Sequence, residues 1–133
     1  MTRALGFLFA ALVAVAAASF TSGASFAQAP AAQVPLMEPA TLHGLMTAGV
    51  RLTIVDVRQP EEFGQGHIQG AILMPLENLS ASYSTLPRKG KLVVYCRSGH
   101  RSAQAVQFLR QSGYTNAVSL NGGYTAWTAA GFK

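Results

Sequence analysis

Cysteine is nearly absent from this chain. Its 133 residues hold one, Cys96, so no internal disulfide can form and a disulfide scaffold is excluded. Charge is sparse as well: charged residues make up 11% of the chain, with five acidic side chains against ten Lys and Arg. The basic residues are scattered and form no run of the kind that grips nucleic acid, so no nucleic-acid partner is expected. The three histidines, His43, His67 and His100, lie far apart, and with one Cys they make no spaced ligand set, so no metal is expected either. Apolar residues reach 50% of the chain, which excludes disorder driven by charge and low hydrophobicity. A chain of this length accommodates one ordinary domain and leaves little room for a second.

The first segment reads as an address. Thr2 and Arg3 precede an apolar run from Ala4 to Ala18, and a stretch rich in Ser, Gly, Ala and Gln then leads to Pro30. That is the layout of a secretory signal peptide, and the small-x-small pattern Ser25-Phe26-Ala27 places the cut before Gln28. A cut after Ala29 would put Pro30 immediately beyond it, where the ring obstructs an extended substrate. The division expected is residues 1–27 as signal peptide, 28–37 as an N-terminal arm and 38–133 as the folded domain, in a protein exported to the bacterial periplasm. The alternative is an uncleaved membrane anchor, since no charge occurs between Arg3 and Glu38. The apolar part is shorter than the roughly 20 residues that span a bilayer, which favours cleavage.

In the remainder, short apolar runs alternate with helical stretches, the pattern of an α/β domain with a mostly parallel central sheet and helices on both faces. Helices are expected over Glu38 to Ala48, briefly near Glu61 to Phe63, over Ser102 to Ser112 and over Tyr124 to Ala130. Leu52 to Val57 and Leu92 to Tyr95 read as buried strands, with Ala71 to Met74 and Ala117 to Leu120 as further short ones. The chemistry concentrates after Tyr95. Cys96 ends a buried strand, and Arg97, Ser98, Gly99, His100 and Arg101 turn into the helix expected to begin at Ser102. This puts a thiol at the carboxyl edge of the sheet, where open α/β folds bind ligands. The loop N–H groups and the first helical turn can converge on negative charge, and Arg97 and Arg101 add positive charge; together they favour thiolate over thiol. A lone Cys is more often a small core hydrophobe, but a Gly and two Arg within five residues favour a nucleophile.

These residues resemble the rhodanese-homology domains. Cys96 to Ser102 is similar to that family's C-x-x-G-x-R-[ST] active-site loop. Asp56-Val57-Arg58 with Glu61-Glu62-Phe63 resembles its D-V-R…E-[FY] segment, Gly66 to Ala71 its G-H-I-x-G-A stretch, and Gly122-Gly123 with Trp127 and Gly131 its closing motif. Gln69 stands where Pro is common, and the usual Pro after Phe132 is missing. The resemblance implies a single-domain sulfurtransferase: Cys96 takes a sulfane sulfur from a small anionic donor such as thiosulfate, holds it as a persulfide, and yields it to cyanide, a thiol or a partner protein's thiol. No cofactor is implied. Arg97, Ser98, Gly99, His100, Arg101 and Ser102 are implied to bind the substrate. Asp56 and Arg58 are candidates to support the loop from a neighbouring strand, although an ion pair or turn cap that shapes the fold is the favoured reading. His67 is read as a structural hydrogen-bond former, His43 as a surface residue and Trp127 as a core plug. Rival readings are a sulfur-relay or protein-binding module, a phosphatase or arsenate reductase with a similar Cys loop, and a redox role through a mixed disulfide. Six residues from Cys96 to Arg101 precede the expected helix, and the resemblance associates six with sulfur transfer and seven with phosphatase-like relatives.

Overall fold

The computed structural model describes residues 33–133. The signal-peptide expectation for residues 1–27 and the beginning of the arm lie outside them. Five strands form one sheet in the order β1-β5-β4-β2-β3, and every pairing is parallel. The strands are β1 (Leu36–Met37), β2 (Leu52–Asp56), β3 (Ile72–Leu73), β4 (Lys91–Tyr95) and β5 (Ala117–Leu120). The helices are α1 (Pro39–Thr47), α2 (Pro60–Gln65), α3 (Leu79–Ser82), α4 (His100–Gln111) and α5 (Gly123–Ala129), with 3-10 turns on either side of α3 at Leu76–Asn78 and Tyr83–Thr85.

The apolar runs become central strands because both faces of the sheet are covered. On one face Val55, Leu92 and Val94 pack against Leu79 of α3 and Ala105, Val106 and Leu109 of α4. On the other, Ile54, Val93 and Tyr95 pack against Leu42 of α1 and Trp127 of α5. Trp127 is fully buried, as a core plug should be. Strand β4 sits in the middle. From it the chain passes through α4 to β5 on one side, whereas the adjacent β2 leads through α2 to β3 on the other. The carboxyl ends of β2 and β4 thus meet where the connections diverge, the crevice in which such sheets bind ligands.

Most boundaries agree with the sequence reading to within a residue, and three differ by more or in kind. Leu36–Met37, assigned to the N-terminal arm, form the edge strand: Leu36 pairs with Ser119 and Met37 with Leu120. The strand expected over Ala71 to Met74 shortens to Ile72–Leu73, paired with Val55 and Asp56. Helix α4 begins at His100 rather than Ser102, because Gly99, at φ +112°, makes the turn that a Ser, Thr, Asp or Asn cap makes elsewhere.

Candidate active site

Five residues of β4, four of them buried, carry the chain to Cys96, so the position of the thiol is set by the core of the domain. Its side chain is 1% exposed. The chain then folds over the sulfur. Gly99 donates its N–H to Sγ at 3.1 Å, the Ser102 N–H points at it from 3.4 Å, and the Ser102 hydroxyl lies 3.5 Å away. With α4 starting at His100, the Ser102 N–H is one of the first-turn amides that have no carbonyl partner inside the helix. The helix therefore spends an otherwise orphaned donor on the sulfur.

These contacts lower the proton affinity of the thiol. Burial opposes the charged form, but the Ser102 hydroxyl and the N–H groups of Ser102, Gly99 and Ser98 together outweigh it, so the Cys96 thiol titrates below its ordinary range. Ser102 is itself held. Its hydroxyl also reaches the Gly99 carbonyl at 3.2 Å and the Ser119 hydroxyl of β5 at 2.8 Å, and both Ser102 and Ser119 are buried. Ser119 Oγ has no other hydrogen-bond partner among the described residues, and either hydroxyl can donate in the bond between them.

The loop is clamped from outside by the start of α5. Tyr124 donates its N–H to the Cys96 carbonyl at 2.8 Å, and Thr125 donates to that of Arg97 at 3.0 Å. This approach requires Gly123. A Cβ there would sit 2.5 Å from the Cys96 carbonyl oxygen and 2.6 Å from that of Arg97, and the backbone is left-handed at φ +62°.

The charges fall differently from the expectation. Arg101 does not offer a free cation to the loop: its guanidinium grips Glu62 of α2 through two bonds of 2.8 and 3.0 Å. Glu62 also accepts the Gln59 N–H in a capping box, and the Arg101 hydrogen bonds pull its carboxyl down to about 2. Arg97 is exposed and, among the described residues, makes no ion pair. Ser98 and His100 are exposed as well, His100 at the first position of α4. The Ser102 hydroxyl and the loop amides thus lead in lowering the Cys96 titration, and Arg101, paired with Glu62, adds a weaker charge attraction to the sulfur.

Asp56 and Arg58 form a buried pair 0% and 4% exposed. Both Asp56 oxygens accept from the guanidinium at 2.7–3.0 Å, and Asp56 also caps the turn by accepting the Arg58 N–H at 2.9 Å. Burial works against the Arg58 charge, and the hydrogen bonds and charge of Asp56 more than offset it. The guanidinium continues to the Gly66 carbonyl at 2.7 Å and lies 4.5 Å from the centre of the Tyr124 ring. The pair therefore supports α5 and the loop after α2, and it lies against Tyr95, the residue before Cys96, without reaching the sulfur. His67 stacks on Phe63 at 3.7 Å and bonds its carbonyl at 2.9 Å, whereas His43 is exposed and stacked on Phe132. Neither reaches Cys96. No three His, Cys, Asp or Glu side chains gather as a metal site among the described residues.

Glu62, Ser119, Gly123 and Tyr124 were not singled out as site residues in the sequence. A signal existed for Ser119, a small polar residue inside the apolar run Ala117 to Leu120, and for Glu62, three residues after Gln59 at a helix start.

The comparisons with known proteins agree with this geometry. The rhodanese-like domain model matches residues 38–130. The chain is 38% identical over 101 residues to the probable adenylyltransferase/sulfurtransferase MoeZ of Mycobacterium tuberculosis, covering 74% of this chain but only about a quarter of that protein, 26%. It is 38% identical over 85 residues to the thiosulfate sulfurtransferase GlpE of Shewanella oneidensis, covering 64% of this chain and 84% of that one. Among solved structures it resembles a rhodanese-related protein from Thermoplasma volcanium at 35% identity and a TM-score of 0.68, over 74% of this chain and 95% of that one. A parallel sheet that delivers one thiol into a cradle of amides, within a segment matched nearly from end to end, places the chain in the rhodanese-like domain family.

Proposed function

We propose that the protein is a sulfurtransferase that carries sulfane sulfur on Cys96, taking it from a donor such as thiosulfate and passing it to cyanide or a thiol. The observation that carries this reading is the convergence of the Gly99 N–H, the Ser102 N–H and the Ser102 hydroxyl on Sγ at 3.1–3.5 Å. In the first half-reaction the Cys96 thiolate attacks the outer sulfur of thiosulfate. A sulfur–sulfur bond forms at Cys96, the bond to the SO3 group breaks, and sulfite leaves with the electron pair. The terminal persulfide sulfur carries the negative charge, and the loop amides are pre-aimed at negative charge on sulfur. Attack by cyanide on that sulfur releases thiocyanate and restores the thiolate, so charge and electrons balance without a cofactor.

The tightness of the loop favours sulfur over a tetrahedral oxyanion. Its donors already crowd one buried atom, whereas phosphate or arsenate needs a wider ring. We also propose, from the run Ala4 to Ala18 and the pattern at Ser25 to Ala27, that the chain is exported and cleaved before Gln28; N-terminal sequencing that finds Met1 on membrane-bound protein overturns this.

The test of function combines mass and turnover. Wild type treated with thiosulfate should gain one sulfur atom on the Cys96 peptide and form thiocyanate with cyanide, and Cys96→Ser should fold and do neither. Absence of the sulfur gain, or hydrolysis of an aryl phosphate through Cys96 faster than thiocyanate formation, overturns the reading.

A further inference from the structure

Basic residues that lie scattered along the sequence are gathered by the fold. Every strand pairing is parallel, so the strands all begin at one edge of the domain and end at the other. Arg51 immediately precedes β2, Arg88 and Lys89 lie in the turn before β4, and Lys91 is the first residue of β4. The register sets Lys91 opposite Leu52, the neighbour of Arg51. Arg110, in the last turn of α4, reaches the same edge, where its guanidinium donates to the carbonyls of Thr115 and Ala117 at 2.7 and 3.1 Å. All five of these side chains are exposed, and none makes an ion pair among the described residues. Val50, 44% exposed, adds an apolar point beside Arg51.

The acids take the opposite edge. Glu38 follows β1, Asp56 ends β2, Glu61 and Glu62 open α2 just beyond it, and Glu77 follows β3 and accepts from Gln59. These are all five acidic side chains of the chain, so none offsets the charge where the strands begin.

The chain also enters the domain at the basic edge. Gln33, Val34 and Pro35 lead into β1 and share a shallow groove with Arg110 and Gln111. Upstream stands the apolar run from Ala4 to Ala18, and the residues from 19 to 32 reach no more than about 50 Å even fully extended. Until the cut proposed before Gln28, the domain is held within that reach of a bilayer, and its tether arrives at this edge. An acidic protein or a nucleic acid offers the same charge, but the chain itself joins this edge to a bilayer.

We propose that the edge formed by Arg51, Arg88, Lys89, Lys91 and Arg110 docks on an anionic lipid surface, with Val50 among the headgroups. The inference goes beyond the sulfur chemistry and does not depend on it. One geometric consequence follows. Cys96 leaves β4 at the opposite edge, so the thiol of the docked protein faces water.

Full-length protein is titrated with vesicles of phosphatidylcholine alone and of phosphatidylcholine mixed equally with phosphatidylglycerol. The ratio of the two affinities cancels what the apolar N-terminal run adds to both. A Lys or Arg near an anionic surface strengthens binding by about fivefold, so the mixed vesicles should bind several hundredfold tighter at low salt, roughly, and lose that advantage as salt rises. Arg51→Gln, Lys89→Gln and Lys91→Gln together should lower the ratio by about a hundredfold with urea unfolding unchanged. Arg97→Gln, at the other edge, should leave the ratio as it is, and iodoacetamide should alkylate Cys96 as fast on vesicles as in solution. A wild-type ratio near one, or a loss below about fivefold in the triple variant, the share of a single residue, overturns the proposal. Alkylation blocked on vesicles overturns the orientation on which it rests. Tighter binding to duplex DNA or to polyglutamate than to the mixed vesicles at equal salt overturns the lipid assignment.

Discussion

Replacing Ser102 with Ala separates the hydroxyl's role in holding the thiolate from that of the backbone. The variant keeps the Ser102 N–H, 3.4 Å from Sγ, and the Gly99 N–H at 3.1 Å, and loses only the hydroxyl at 3.5 Å. Hydrogen bonds to charged groups contribute about 1.5–3 kcal/mol, and the long contact here argues for the lower end. The Cys96 titration should therefore rise toward the ordinary thiol range. The deletion also strands the Ser119 hydroxyl, whose one side-chain partner among the described residues is Ser102 Oγ at 2.8 Å, so stability should fall by about 1–3 kcal/mol. The titration is read from the rate of alkylation by iodoacetamide against pH, the stability from urea unfolding. Ser102→Thr retains the hydroxyl and should restore most of the low titration midpoint. An alkylation midpoint unmoved in the Ala variant would refute the assignment and leave the amides as the sole support of the charge.

Three further outcomes are expected. Gly123→Ala drives a Cβ to within 2.6 Å of two loop carbonyls at a left-handed position, so it should abolish sulfur loading and cost more than about 2 kcal/mol in urea unfolding; wild-type loading in that variant would refute the close approach. Asp56→Ala leaves a guanidinium only 4% exposed without its partner and should destabilise the fold by about 3–5 kcal/mol; a loss under about 1 kcal/mol would mean that solvent reaches Arg58. The depressed Cys96 titration makes the native state shed its proton before the unfolded chain does. Wild type should therefore gain stability over Cys96→Ala as pH rises from the folded titration toward the ordinary thiol range near about 8.5, hold that gain above it, and lose it as pH falls through the folded value; urea unfolding of both proteins across that range gives the sign, and a flat difference would contradict it.

What could be read from the sequence follows from how local each signal is. Strand β4 and the placement of Cys96 at its end were legible because a buried parallel strand is a continuous apolar run and the loop follows it directly. Strand β1 was not: two residues carry no period, and Leu36 is strand only because Ser119 lies beside it. The short helical stretch from Leu76 to Thr85 went unassigned for a similar reason, since each of its pieces is about one turn long. The start of α4 was misplaced because Gly99 does by backbone conformation what a polar side chain usually does. The pairing of Arg101 with Glu62 joins residues 39 apart, so the sequence showed the charge but not its neutralisation. Asp56 and Arg58 were legible as a pair because they are two residues apart at a strand end, and their remaining partners, Gly66 and Tyr124, come from elsewhere in the chain.

The clamp that α5 places on the sulfur loop also times the closing of that loop during synthesis. The amides that hold the carbonyls of Cys96 and Arg97 belong to Tyr124 and Thr125, and edge strand β1 pairs, among the described residues, with β5 alone. A chain still growing past Cys96 has neither, and pairings between residues so distant in sequence form late. Until they form, the carbonyls of Cys96 and Arg97 have no amides to fix them, so the loop closes into its final shape around the sulfur only when the last helix is in place.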